Sequence, residues 1–226
     1  MRTIEVKLYQ CHELPTDRAK DRAREWLRLA MMEDDLAEFT RDDFRDTLKA
    51  LGFHVELSRG SRTAPAIYYT LNPMEAGFIA SWSASAMLSA TVAAFIADRP
   101  ATSTDSEGKT HQHPENAKIA SIAQKLAQIA HEYPDSHAAC TAGRDGTTQR
   151  AEWDPGDPDV DYDDDDSASA AKAADTARAF EDLCQKLAAW FAAAVDREYA
   201  YQLSDEAIDE MMQANGYEFT EDGERA

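Results

Sequence analysis

The sequence predicts an α+β fold: one antiparallel sheet of about four to six strands covered by helices, with a long C-terminal helix and an acidic surface loop. Three observations predict it. Runs with a period of two recur at Ile4 to Leu8, Phe53 to Leu57, Ile67 to Leu71 and Phe78 to Trp82, the alternation of half-buried strands. Runs with helical spacing separate and follow them, without the strand-helix-strand rhythm of a parallel sheet. The length, 226 residues of which 43% are hydrophobic, lets folding bury roughly 70% of the unfolded surface without a metal or disulfide staple.

Taken in order, Ile4, Val6 and Leu8 alternate with Thr3, Glu5 and Lys7 and open the fold as a strand. Thr16 then caps a helix whose Ala19, Ala23, Trp26, Leu27 and Ala30 share one face. For the second helix the sequence offers Thr40 as cap, Asp43 at the third position and Phe39 with Phe44 as a hydrophobic staple, and Leu48, Leu51 and Gly52 finish it. The three following strand signals are joined by SRGSRTAP and NPMEAG, too short for a crossover helix, and predict an antiparallel meander.

Ala84 to Ala97 is helical by length and is stopped at Arg99-Pro100, and ATSTDSEGKTHQH over 101–113 is a polar loop. Pro114 opens a helix that turns Ile119, Ile122, Leu126 and Ile129 inward and closes at Pro134. The stretch HAACTA to TTQRAEW predicts a hairpin about Asp145-Gly146. A long helix follows from about Ser169 to Tyr201, with Phe180, Leu183, Leu187, Trp190 and Phe191 on one stripe. Ser204 caps a last helix that ends at Asn215-Gly216. The domain reading is a near-neutral α+β core over 1–153, an acidic linker over 154–168, and the two C-terminal helices over 169–226 packing on the core.

The formal net charge is -20, with 43 acidic against 23 basic residues. That excludes a module that grips nucleic acid through its own basic patch. The excess is segregated. Residues 1–62 carry net -1, residues 63–150 net -2, and residues 151–226 net -17, which points to an acidic face or arm. The N-terminus lacks the apolar stretch of a signal peptide and no window approaches the ~18 apolar residues of a membrane span. Cys11, Cys140 and Cys184 are odd in number and widely spaced, as reduced thiols are. The expected location is the cytoplasm, without direct contact to nucleic acid or membrane.

Chemistry-bearing motifs are sparse. His111-x-His113 and the His137, Cys140 pair do not form the paired doublets of a zinc site. Asp157, Asp159, Asp161 and Asp163 alternate as calcium ligands do, but an EF-hand loop starting at Asp157 would need glycine where Tyr162 stands and glutamate where Ala168 stands. There is no nucleophile elbow and no phosphate loop. The carboxylate pairs Glu152 with Asp154 and Asp205 with Asp209 are expected by chance among 43 acidic residues, and Cys11 beside His12 reads as a strand-end turn. The expectation is therefore a protein that is not an enzyme, with no cofactor, no catalytic residue and no metal ligand.

The acidic third carries the candidate site. Asp163, Asp164, Asp165 and Asp166 place a charge roughly every 3.3 Å if extended, close to the ~3.4 Å between phosphates along one DNA strand. Asp205, Glu206, Asp209 and Glu210 form a second acidic face opposite Ile208 and Met212. With Asp157, Asp159 and Asp161, these residues are the candidate partner-binding set, suited to a basic nucleic-acid channel on another protein.

Two segments, KLYQCHELPTDRAKDRAREW over 7–26 and DREYAYQLSDEAIDEMMQANGYEFTEDGE over 196–224, resemble a family of small acidic proteins of bacteriophages and prophages, often labelled antitoxin-like. Members open with a strand, an F-x-E-L-S turn and an alanine- and arginine-rich helix. They close with E-Y-x-Y-L-S-D-E-A-I-x-E-x-I-x-A-N-x-Y-x-F-T-x-D-G. Here His12 and Pro15 depart from the turn, and the aspartate run near Asp163 is an insertion. The resemblance carries over no catalytic residue. It implies a mobile-element origin and counter-defence work, an anti-CRISPR or anti-restriction inhibitor acting in the host bacterium on a defence complex with a basic groove. The alternatives are an antitoxin-like protein that covers a basic toxin and an enzyme acting on a small ligand. The alanines at 188, 189, 192, 193 and 194 also suit a homodimer.

Overall fold

The computed structural model describes residues 7–32, 35–71, 74–87, 89–106, 108–143, 150–156 and 167–226. The class is the expected mixture of helices and antiparallel strands. The chain gathers into two compact units, one made of Met1–Phe39 with Val195–Ala226 and the other of Thr40–Ala194. This partition differs from a core over 1–153 carrying a C-terminal addition, because strand and helix pairings join the two ends of the chain.

In the first unit, β1 (Tyr9–Gln10) pairs antiparallel with β9 (Glu218–Phe219), with Tyr9 opposite Phe219. Of the strand expected over Ile4 to Leu8, Ile4 and Val6 lie outside the described residues. Leu8 is exposed and pairing begins one residue later. A single 3-10 turn, Cys11–Glu13, leads to α1 (Asp17–Met31), whose first turn is closed by the Thr16 hydroxyl accepting from the Ala19 N–H at 3.2 Å. Helix α6 (Asp205–Ala214) begins likewise, with the Ser204 hydroxyl accepting from Ala207. Ala19, Ala23 and Leu27 of α1 are buried in this unit, as are Ile208 and Met212 of α6 and Phe219. Trp26 meets Tyr217 and Phe219 edge-on, at 5.4 and 6.0 Å. Gly223 lies against α1 so closely that a Cβ there would stand 2.1 Å from the Ala19 carbonyl oxygen, and its φ of +80° is one that glycine alone adopts freely.

The second unit is built on a five-stranded sheet. Its strands are β2 (Phe53–Val55), β3 (Ile67–Leu71), β4 (Met74–Ser83), β7 (His137–Gly143) and β8 (Arg150–Asp154). The expected meander is corrected in one respect: β2 and β3 both pair with β4, on successive stretches of the same edge, instead of lying in the order of the chain. The cause is local. At Glu56 the chain leaves β4 and returns at Ala66, and both sides of this excursion bond to Ile79, Glu56 N–H to its oxygen at 3.0 Å and its N–H to the Ala66 oxygen at 2.9 Å.

Two large residues on β4 face small ones on β7, Phe78 opposite Ala142 and Trp82 opposite Ala138, and between them the small Ala80 lies opposite Cys140. That step leaves room for α5 (Ser167–Gln202), whose Cys184 sulfur sits 3.6 Å from that of Cys140. Burial pushes the Cys184 thiol well above the usual thiol range. Phe44 of α2 (Glu38–Ala50) stacks on Phe191 with ring centres 4.4 Å apart, and Trp82 packs on Phe180 at 4.9 Å while donating to the Leu51 carbonyl at 3.0 Å. Helix α2 starts before Thr40, so that residue is no cap, and Phe39 is 84% exposed and forms no staple. A first turn at Glu38 puts a carboxylate against the positive end of the helix, which competes with the Thr40 start.

The Ala84 to Ala97 region divides into a 3-10 turn, Ala84–Ala86, and α3 (Ser89–Ala97). Residues 101–113 are not a plain loop: β5 (Thr102–Thr104) and β6 (Thr110–Gln112) form a hairpin. Helix α4 (Pro114–Glu132) has the expected proline start. The turn expected at Asp145-Gly146 lies outside the described residues, but β7 and β8 do pair antiparallel on either side of it. Among the described residues no helix is long and apolar enough to cross a membrane.

Candidate interaction site

Helices α1 and α6 lie in the same unit and meet along a charged seam. Arg24 and Arg28 are four residues apart on α1, and Asp205 and Asp209 four apart on α6, so each pair lines one helical face. Arg24 holds Asp209 with a two-point grip, Nε to Oδ1 at 2.8 Å and Nη2 to Oδ2 at 2.6 Å, and its Nη1 reaches Asp205 at 3.1 Å. Arg28 donates to Asp205 and, through Nε, to the Leu203 carbonyl at 2.9 Å. The order, Arg24 to Asp209 and Arg28 to Asp205, makes the helices antiparallel.

Only 18% of the Arg24 side chain is exposed, so the pair is screened less than a surface pair. The Arg24 hydrogen bonds hold the Asp209 carboxyl below the usual carboxylate range, and Asp209 in turn holds the Arg24 guanidinium more firmly charged. Cys11 donates its thiol hydrogen to Asp209 Oδ1 across 3.6 Å. Burial first, and then the Asp209 charge, push this thiol up to about 11. The Cys11 sulfur is therefore a protonated donor at neutral pH, not a thiolate activated by His12.

A pocket of about 190 Å³ at this seam is lined by Cys11, His12, Lys20, Arg24, Asp209 and Gln213. It is smaller than the ~300–1,000 Å³ of most small-molecule sites. Its strongest acid and base already satisfy each other.

The four acidic residues expected as one face on α6 thus part company. Asp205 and Asp209 pair with the α1 guanidiniums, Asp205 while remaining exposed, whereas the exposed Glu206 and Glu210 make no ion pair among the described residues; Glu218, Glu221 and Asp222 are exposed as well. Glu224 pairs with Arg22 at 2.5 Å. Asp157, Asp159, Asp161 and Asp163 to Asp166 lie outside the described residues. Arg24 and Arg28 were not singled out from sequence, although their four-residue spacing matches that of Asp205 and Asp209 and was the available signal.

The histidines noted as metal candidates have separate partners. His111 Nε2 lies 2.8 Å from Asp105, His113 Nε2 lies 2.7 Å from the Ser103 hydroxyl, and His137 Nε2 lies 3.6 Å from Asp154. Cys140 is buried beside Cys184. Among the described residues no three histidine, cysteine or carboxylate groups converge on a point that could hold a metal. Compared with protein-family models, with characterised proteins and with solved structures, the chain matches none.

Proposed function

We propose that the protein is a counter-defence inhibitor of the anti-CRISPR or anti-restriction kind. It works by binding and not by catalysis, and it places carboxylates in a basic nucleic-acid groove of a host defence complex in the bacterial cytoplasm. The observation that carries this reading is the segregation of charge: net -17 over residues 151–226 against -3 over everything before them. A chain whose carboxylates are concentrated over part of its length is attracted to a basic groove through that part, which raises the association rate and selects the partner.

The α1–α6 seam supports the same reading. By fixing α6 through Asp205 and Asp209 it holds Glu206 and Glu210 outward, about 6 Å apart along the helix axis. Two such charges are sparser than the phosphates of a duplex, so the run from Asp157 to Asp166 supplies most of the mimicry. The test is binding to a purified CRISPR or restriction complex at two salt concentrations with duplex DNA as competitor. The expected result is salt-sensitive binding that DNA displaces, weakened at least tenfold when Asp163 to Asp166 are changed to asparagine, and less when Glu206 and Glu210 become lysine. Binding that DNA leaves undiminished would sink the mimicry.

A further inference from the structure

Helices α4 and α5 run antiparallel in the second unit: Lys172, near the start of α5, pairs with Glu132, at the end of α4, at 3.4 Å, and lies 5.8 Å from the centre of the Tyr133 ring. Farther along the pair an open furrow of about 530 Å³ separates them. Ile122, Leu183 and Trp190 contribute the apolar lining, and the short side chains of Ala117, Ser121, Ala189 and Ala193 keep it open. Three lysines reach the lining, Lys118 and Lys125 from α4 and Lys186 from α5.

The charge there is opposite in sign to the chain's net charge. The chain has 43 acidic and 23 basic residues, yet this furrow is lined by three lysines and one carboxylate, Glu115. Lys125 makes no ion pair among the described residues. Lys118 bonds to Glu115 at 2.9 Å and Lys186 to Asp182 at 2.5 Å, each within its own helix; both lysine side chains are more than half exposed, whereas Glu115 is 29% exposed. Such pairs are weak and exchange readily for a better partner.

We propose that this furrow docks an acidic amphipathic helix of a partner protein. Apolar side chains at i, i+3 or i+4 and i+7 would enter between Ile122, Leu183 and Trp190, the usual reading of a helix in a groove. Lys118 and Lys125 are seven residues apart, about 10.5 Å along α4, so carboxylates seven residues apart on a docked helix running along α4 meet both. Lys186 receives the opposite flank. A strand has no counterpart for this repeat, and the furrow walls are helices whose backbone groups are already paired. The site uses only residues of Thr40–Ala194 and does not depend on the acidic-mimicry reading.

The test uses the full chain and a fluorescein-labelled 18-residue helical peptide with leucines on one face and glutamates on both flanks, followed by fluorescence anisotropy. Saturable binding is expected. It should weaken at least tenfold in the triple variant Lys118→Glu, Lys125→Glu, Lys186→Glu, and to a similar extent in Ala193→Trp, which fills the furrow without altering charge. Lys49→Glu, on α2, should leave it unchanged, and circular dichroism should report the same helicity in all four proteins. No saturable binding at millimolar peptide overturns the proposal, as does binding that both furrow variants retain. So does sedimentation showing that copies of the chain occupy the furrow themselves, through an association that Ala193→Trp abolishes.

Discussion

Two helix pairs in this protein handle charge in opposite ways. Along α1 and α6, a strongly acidic helix spends two of its carboxylates on guanidiniums of the same unit, and the seam between them is internally neutral. Along α4 and α5, in a chain with nearly twice as many acids as bases, the furrow collects three lysines; among the described residues two of them, more than half exposed, pair within their own helix and Lys125 makes no ion pair. The difference teaches that the formal charge of a segment gives the sign of its field but not which of its charged groups are left to meet a partner. What matters is which charges are bound at short range to a partner that cannot leave, and which keep water as their main partner.

That contrast can be broken at the seam. Arg24→Met keeps the length of the side chain and removes the two-point grip, leaving Asp209 and Cys11 partly buried without their cation. A loss of about 2–3 kcal/mol is expected, as for hydrogen bonds to charged groups, read as a lower chemical denaturation midpoint. Hydrogen exchange should quicken in α1 and α6 and not in the sheet. Equal quickening of β4 and β7 would mean that the seam is not a local fastening.

Alkaline pH sharpens the same point with a smaller effect. Cys11 has its thiol pushed up to about 11 from an ordinary 9.0, so the folded state keeps a proton that the unfolded chain releases. The associated stability is complete below about pH 9 and fades as pH rises toward 11, on the order of 1–2 kcal/mol. Cys184 acts in the same direction. Thermal unfolding at pH 8 and pH 10.5 should show a fall that is shallower in Cys11→Ala than in the wild type. A fall of the same depth in both would remove Cys11 from the account.

The smallest effect is expected at the furrow, where Lys118→Met with Lys125→Met should change stability by no more than about 0.5 kcal/mol, as at ordinary surface sites. A loss comparable to that of Arg24→Met would show these lysines to be structural.

Some of this architecture could be read directly and some could not. Helix α4 lies between Pro114 and Pro134, and α1 and α6 begin at side-chain caps; such signals act over three or four residues and need no tertiary information. The β5–β6 hairpin escaped because Thr102–Thr104 and Thr110–Gln112 are exposed throughout and carry no apolar alternation. A turn holds it instead, with the Asp105 carboxylate accepting from the Lys109 N–H at 2.9 Å and Gly108 at a φ of +80°. At the candidate site the acidic character of α6 was legible from composition. Which of its carboxylates face outward was not, because Arg24 and Asp209 stand 185 residues apart in the chain and no local pattern announces such a pairing. The lysine furrow was hidden for the same reason, since α4 and α5 each read as an ordinary amphipathic helix.

The union of the first 39 residues with those from Val195 onward also fixes an order of events during synthesis. Residues Thr40 to Ala194 leave the ribosome before any residue from Val195 onward, so the later-starting unit can assemble first. At roughly 5–20 residues per second, the 32 residues from Val195 to Ala226 take a few seconds more to emerge. Throughout that interval α1 has neither α6 nor the Gly223 turn packed against it. Nascent chains stalled so that Ala194 has cleared the ribosome exit tunnel and the residues from Val195 onward have not should therefore be cut by protease within α1 while the sheet resists.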